Sequence, residues 1–247
     1  MDLQYALTLV RQNGNRISMV PEHLRTEEIR KAAISRTPTA IVDISDPTVD
    51  EQKLAVKSQG EIDRDGIFDL LSMFTDVDPI VLDATLDVNG NCINLIQDPT
   101  DDQKFRAVTR DGDAIKHIED PEHSLQVIAV QHDPKNVSLI DDPTYEVVDV
   151  LVTTNPRSIE FVKRPHRDHQ EMVLRKLPDD GLHYLQHVDE DIALKYISEN
   201  PEKIQLLQNQ TEECCWAALT ADGSYIKHIR NPTLEMESYA KLVSDGN

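Results

Sequence analysis

"DGDAIKHIEDP" at residues 111–121 and "DGSYIKHIRNP" at residues 222–232 agree at seven of eleven positions. Two such stretches, 111 residues apart in a chain of 247, point to an internal repeat, and a repeat governs how every other motif is read. Prolines supply its period: Pro99, Pro121, Pro143 and Pro165 follow one another at intervals of 22 residues. Counting from the residue after the proline, units start near Asp2, Thr26, Thr48, Asp78, Thr100, Glu122, Thr144, Arg167, Asp189, Thr211 and Thr233. The two opening stretches are then corresponding halves of the fifth and tenth units.

Chemistry recurs at offsets that were not used to build this frame. Offset 15 holds Ile17, Ile41, Ile93, Ile115, Val137, Ile159, Leu182, Ile204 and Ile226. Offset 18 holds Val20, Ile44, Ile96, Ile118, Ile140, Val162, Leu185, Leu207 and Ile229, and offset 7 holds Ala33, Ala55, Ala107, Ala129, Ala218 and Ala240. Each unit therefore reads as two short helices, one striped at offsets 3 or 4 and 6 to 8, the other at 15 and 18. Asp-Pro or Asn-Pro precedes the first helix at Pro47, Pro99, Pro121, Pro143 and Pro232, which predicts an Asp or Asn cap with proline in the first helical position. Near offset 12 stand Gly14, Gly60, Gly90, Gly112 and Gly223, which predict left-handed helix stops, while Pro38, Pro134 and Pro156 end the helix in other units.

Helices this short are marginal in isolation and must stack. The predicted fold is all-α, an α-solenoid of about eleven stacked two-helix repeats forming one domain over residues 1–247, on the order of 90 to 110 Å long at about 8 to 10 Å per layer. The unit at 48–77 is enlarged, with Ile67, Leu70, Leu71 and Phe74 predicting a longer second helix, and residues 233–247 form a half-unit cap.

The stretches "LVRQNGNRISMVPEHLRTEEIRKAAI", "LAVKSQG" and "NPTLEMESYA" resemble the short tandem helical repeats, about 22 residues long, found in bacteriophage proteins and some bacterial effectors and catalogued as a domain of unknown function. The resemblance covers nearly the whole chain, with residues 144–200 departing furthest from the pattern. It implies helical repeats and a phage or bacterial source. It carries no catalytic residues, because the shared positions are caps, stops and core.

Composition narrows the partner. Forty-five acidic against twenty-five basic side chains leave a net charge of -20, which disfavours direct nucleic-acid or membrane binding and favours a protein with a basic surface. Much of the acidity belongs to helix starts such as Asp101 and Asp102. Cys92, Cys214 and Cys215 read as reduced, buried thiols, and with no signal peptide or long apolar run the chain is expected in the cytoplasm, that of the bacterial host if phage-encoded.

No phosphate loop, nucleophile elbow or H-E-x-x-H stands in the chain, so neither an enzyme nor a cofactor is expected. His166 with His169 and His183 with His187 have metal-ligand spacing. The first pair straddles a repeat junction and no fourth ligand falls into register, so surface histidines are the expected reading.

Charge is uneven along the chain: eleven acids face four bases over 76–120, and six bases face three acids over 156–176. The predicted partner-binding residues are the acids Asp76, Asp78, Asp83, Asp87, Asp101 and Asp102 with Phe74, and the bases Arg157, Lys163, Arg164 and Arg167. The expected function is non-enzymatic: holding a protein partner, as a phage accessory factor that inhibits or redirects a host or defence protein, in one variant by imitating DNA. The alternatives are a virion or structural component, and a metal-binding enzyme centred on His166 to His187.

Overall fold

In the computed structural model, residues 1–74 and 77–245 are described, and among them all regular structure is helical. Contacts group the chain into two compact units, Met1–Leu139 and Ile140–Asn247. The first holds α1 (Leu3–Gln12), α2 (Glu27–Arg36), α3 (Val49–Ile62), α4 (Ile67–Ser72), α5 (Pro79–Thr85), α6 (Asp101–Arg110) and α7 (His123–His132). The second holds α8 (Tyr145–Thr154), α9 (Arg167–Lys176), α10 (Gly181–Tyr184), α11 (Glu190–Glu199), α12 (Glu212–Ala221) and α13 (Leu234–Asp245).

Most α-helices are followed, after one extended residue, by a six-residue 3-10 helix, as at Gly14–Met19, Pro38–Asp43, Gly112–His117, Pro156–Phe161 and Gly223–His228. The three-residue step between the two aliphatic columns is therefore the pitch of a 3-10 turn. Ile17, Ile41, Ile115, Val137, Ile159 and Ile204 are all buried from this helix, and the residue three places on closes it from the extended cap position. Neighbours pair like with like: α1 packs on α2 and α2 on α3, while Gly14–Met19 lies beside Pro38–Asp43. In the second unit α11 packs on α12, and Pro201–Leu206 lies beside Gly223–His228.

Three local expectations are corrected. At these entries the cap position is the residue after the proline, not the one before it: Thr48 and Thr100 accept from the amides of Glu51 and Gln103, whose side chains reach back to the threonine amides, while Glu122 and Thr144 hold the position without a side-chain cap. Proline sits one place outside the helix, and Asp46, Asp98 and Asp120 before it take left-handed φ of 47, 51 and 44°, a conformation aspartate tolerates better than most residues. Asp78–Pro79 follows the predicted arrangement, with Asp78 capping and Pro79 first in α5.

The glycines are not left-handed stops either, since no described glycine has positive φ. They serve close approach. A Cβ on Gly14 would lie 2.1 Å from the Ala33 carbonyl oxygen, and one on Gly90 would lie 2.2 Å from that of Ala107. Gly14 and Gly90 thus abut the alanine column of the following unit, where Ala33 and Ala107 are fully buried, while Gly112 abuts His132 and Asn136 instead. Pro38, Pro134 and Pro156 open the 3-10 helix rather than merely ending the α-helix.

The enlarged unit does not lengthen its second helix. The extra residues extend the first, α3, through Gly60 to Ile62, and Ile67, Leu70 and Leu71 are buried from the separate short α4. Gly60 permits this by admitting Val88, whose Cγ1 would lie 1.9 Å from a Cβ there.

Candidate functional site

Of the predicted acids, Asp76 lies outside the described residues. Phe74 is half-buried against the core of the first unit. Asp78 is occupied as a cap, accepting from the Ile80 amide at 2.8 Å. Asp83 and Asp87 converge on Arg106 of α6: both Asp83 oxygens lie 3.0 Å from Nη1, and Asp87 Oδ1 lies 2.7 Å from Nη2. Asp83 also accepts from Gln103 at 2.9 Å. That hydrogen bond, and then Arg106, hold the Asp83 carboxyl below its usual range against the opposing effect of partial burial. Asp102 stands 3.9 Å from the same guanidinium. Asp101, whose side chain is 91% exposed, has Lys104 at 3.7 Å.

Just beyond Asp101 the surface opens. A cleft of about 310 Å³ between α6 and α7 is lined by Asp101, Lys104 and Phe105 from α6, Ser124 and Leu125 from α7, and Ile118, Asp120, Pro121 and Glu122 from the connection. Phe105 is 49% exposed, while Ile118 and Leu125 form a buried floor. An aromatic ring over an aliphatic floor, with three carboxylates and one ammonium around it, suits a ligand that is apolar at its centre and cationic at its edge. Sequence reasoning passed over Phe105, Asp120 and Glu122. The available signal was an aromatic at offset 5, on the outward side of a helix whose core positions are already filled.

Two members of the second unit's basic band, Arg157 and Arg167, are paired from within. Arg157 pairs with Asp180 at 3.2 Å and lies over the Tyr184 ring at 5.4 Å. Arg167 forks onto Asp191, with Nη1 2.8 Å from Oδ1, and has Asp189 and Glu171 at 3.7 and 3.9 Å. Lys163 and Arg164 are exposed. A second cleft, of about 520 Å³ between α9 and α11, contains Arg167, Arg175 and Lys195 together with Glu171, Asp191 and Glu199.

The histidines depart from expectation in one place. His166 is exposed at the cap of α9, and His183 and His187 are exposed, with His187 beyond the end of α10. His169, however, is fully buried. Its ring stacks 4.5 Å from Tyr145, and Nε2 is 3.7 Å from Asp149 Oδ1, too far for a hydrogen bond. Among the described residues neither ring nitrogen has a hydrogen-bond partner. Burial lowers its pKa, with Asp149 opposing. The sequence hid this because the stripe of α9 passes through His169 and Val173, so the histidine takes a core position. Among the described residues no three His, Cys, Asp or Glu side chains converge as a metal site. Cys92, Cys214 and Cys215 are free and buried. No described helix is long and apolar enough to cross a membrane.

No family model, curated protein or solved structure matches the chain.

Proposed function

We propose that the chain is a non-enzymatic helical-repeat protein whose eleven short units stack as an α-solenoid and hold a protein partner bearing a basic surface. The observation that carries this reading is the α6–α7 cleft, where half-exposed Phe105 stands among Asp101, Asp120 and Glu122. Aromatic anchors supply affinity at protein interfaces, and surrounding charge supplies steering and partner choice. The pairing of Asp83 and Asp87 with Arg106 favours a mixed apolar and ionic contact over imitation of DNA, which requires ordered, unpaired carboxylates. The likeness of the sequence to phage and effector repeats supports a partner in a bacterial host.

The test is affinity capture from nuclease-treated bacterial lysate with the intact chain and with Phe105→Ala and Glu122→Lys variants. A stoichiometric protein retained by the intact chain, released by salt and lost with either variant at unchanged thermal stability is the expected result. Recovery of the tagged chain alone, or equal capture by the variants, overturns the reading and moves attention to a virion or structural role.

A further inference from the structure

The offset that places Phe105 in the fifth unit places Trp216 in the tenth, and Trp216 is the chain's single tryptophan. It lines an open groove of about 430 Å³ between α12 and α13, together with Leu234, Glu235, Ser238, Tyr239 and Leu242. Trp216 and Tyr239 meet edge to face with centroids 5.7 Å apart. Leu234, Ser238 and Leu242 recur at intervals of four along one face of α13, and the two leucines are 81% and 75% exposed. The opposite face of α13 is anchored by buried Met236 and Ala240. The groove side is therefore an apolar stripe, two turns long, beside an aromatic pair.

Charge selects the occupant. α12 and α13 carry the acids Glu212, Glu213, Glu235 and Glu237 against the base Lys241. Glu212 also lies within 3.4 Å of the Trp216 indole nitrogen, so a carboxylate stands at the aromatic end of the groove. A second copy of this chain would bring more negative charge to an acidic rim, at a net charge of -20 per chain. We propose that the α12–α13 groove binds an amphipathic helix of a partner protein, its apolar stripe seated on Trp216, Tyr239, Leu234 and Leu242 and its flanking Lys or Arg side chains meeting Glu212 and Glu235. This rests on the reading of the chain as a protein binder and adds a second contact to the Phe105 cleft. Laying an apolar helical face into a groove is a general mode of peptide recognition, in which anchors at i, i+3, i+4 and i+7 carry the affinity.

Because Trp216 is both the sole tryptophan and part of the groove, its emission reports occupancy directly. Three helical peptides sharing one leucine stripe, flanked by Lys, by Gln or by Glu, are titrated into the full chain. The expected result is a saturable blue shift with affinity in the order Lys, Gln, Glu, a preference that shrinks as salt is raised. The Leu234→Ser/Leu242→Ser variant, which alters only exposed positions, weakens the Lys peptide at least tenfold, about 1.4 kcal/mol. Equal response to the three peptides, or an unchanged affinity in the variant, overturns the proposal. A concentration-dependent shift without peptide, matched by dimer in sedimentation, assigns the groove to a second copy and also overturns it. If the peptides fail while Phe105-dependent capture from lysate persists, the groove alone is wrong; if both fail, the binding-protein reading falls with it.

Discussion

Replacing His169 with Phe should stabilise the second unit, and the gain should grow as the solution is acidified. The neutral imidazole is fully buried with a donor and an acceptor that both lack partners among the described residues. An unsatisfied buried polar group costs about 1–3 kcal/mol, and Phe removes both while keeping an aromatic ring of similar size against Tyr145. At pH 7.5 the expected gain is therefore about 1–3 kcal/mol. Protonation adds a second effect. Burial lowers the His169 pKa below its unfolded value near 6.5, so in acid the unfolded chain takes up the proton first. Stability contributed at this site is full above about pH 6.5 and is lost as pH falls from there toward the folded pKa, by at most about 1.4 kcal/mol per pH unit. Asp149, Asp168, His166 and Tyr145 surround the site and are left in place. The gap between variant and parent should thus widen between pH 7.5 and 5.5. Urea unfolding followed by Trp216 emission, which reports the same unit, measures it at both pH values, with His169→Leu as a control for ring size. A gap that narrows in acid would refute the reasoning, because it would mean that Asp149 stabilises an imidazolium in the folded state.

Three further outcomes are expected. Gly14→Ala and Gly90→Ala each push a methyl into a backbone carbonyl and should cost about 1–3 kcal/mol, whereas Gly223→Ala, whose Cβ would meet the Ala240 oxygen at 3.4 Å, should cost less than 1 kcal/mol; thermal melts of the three variants compare them. Thr48→Ala removes one half of the Thr48–Glu51 capping box and should lower stability by about 1 kcal/mol, and Glu51→Ala should cost about 3 kcal/mol, because it also strips the buried partner from Arg30; chemical unfolding distinguishes the two. Cys92, Cys214 and Cys215 should resist a thiol reagent at pH 8 in the native chain and react together in urea, since burial raises the pKa of each; a native thiol that reacts as fast as free cysteine would contradict their placement.

Much of the fold was legible because repetition separates signal from accident. A single Ile at position 115 says little, but Ile or its equivalents at the same offset in nine units identify a core column, and Ile115 is 1% exposed. The same repetition misled where one residue type serves two purposes. Asn-Gly before a turn reads as a left-handed stop on local grounds, yet Asn13 is extended and Gly14 is glycine because Ala33 of the next unit leaves no room for a Cβ. Asp-Pro reads as cap and first turn, yet threonine one residue later competes better for the cap, leaving aspartate to make the bend. The site was less legible. Asp83, Asp87, Arg157 and Arg167 stood out as charges in one dimension, but their partners Arg106, Asp180 and Asp191 lie some 19 to 24 residues away, about one repeat, and pair with them in three.

The sequence by itself determined that the chain is all helical, with a period near 22 residues, an alanine column and two aliphatic columns, because these follow from spacing and composition along the chain. Only the tertiary structure decided which charges are spent in pairs, which histidine is buried, and where Phe105 and Trp216 are left half-open. Those outcomes depend on what one unit places against the next, and an offset within a unit does not contain that information.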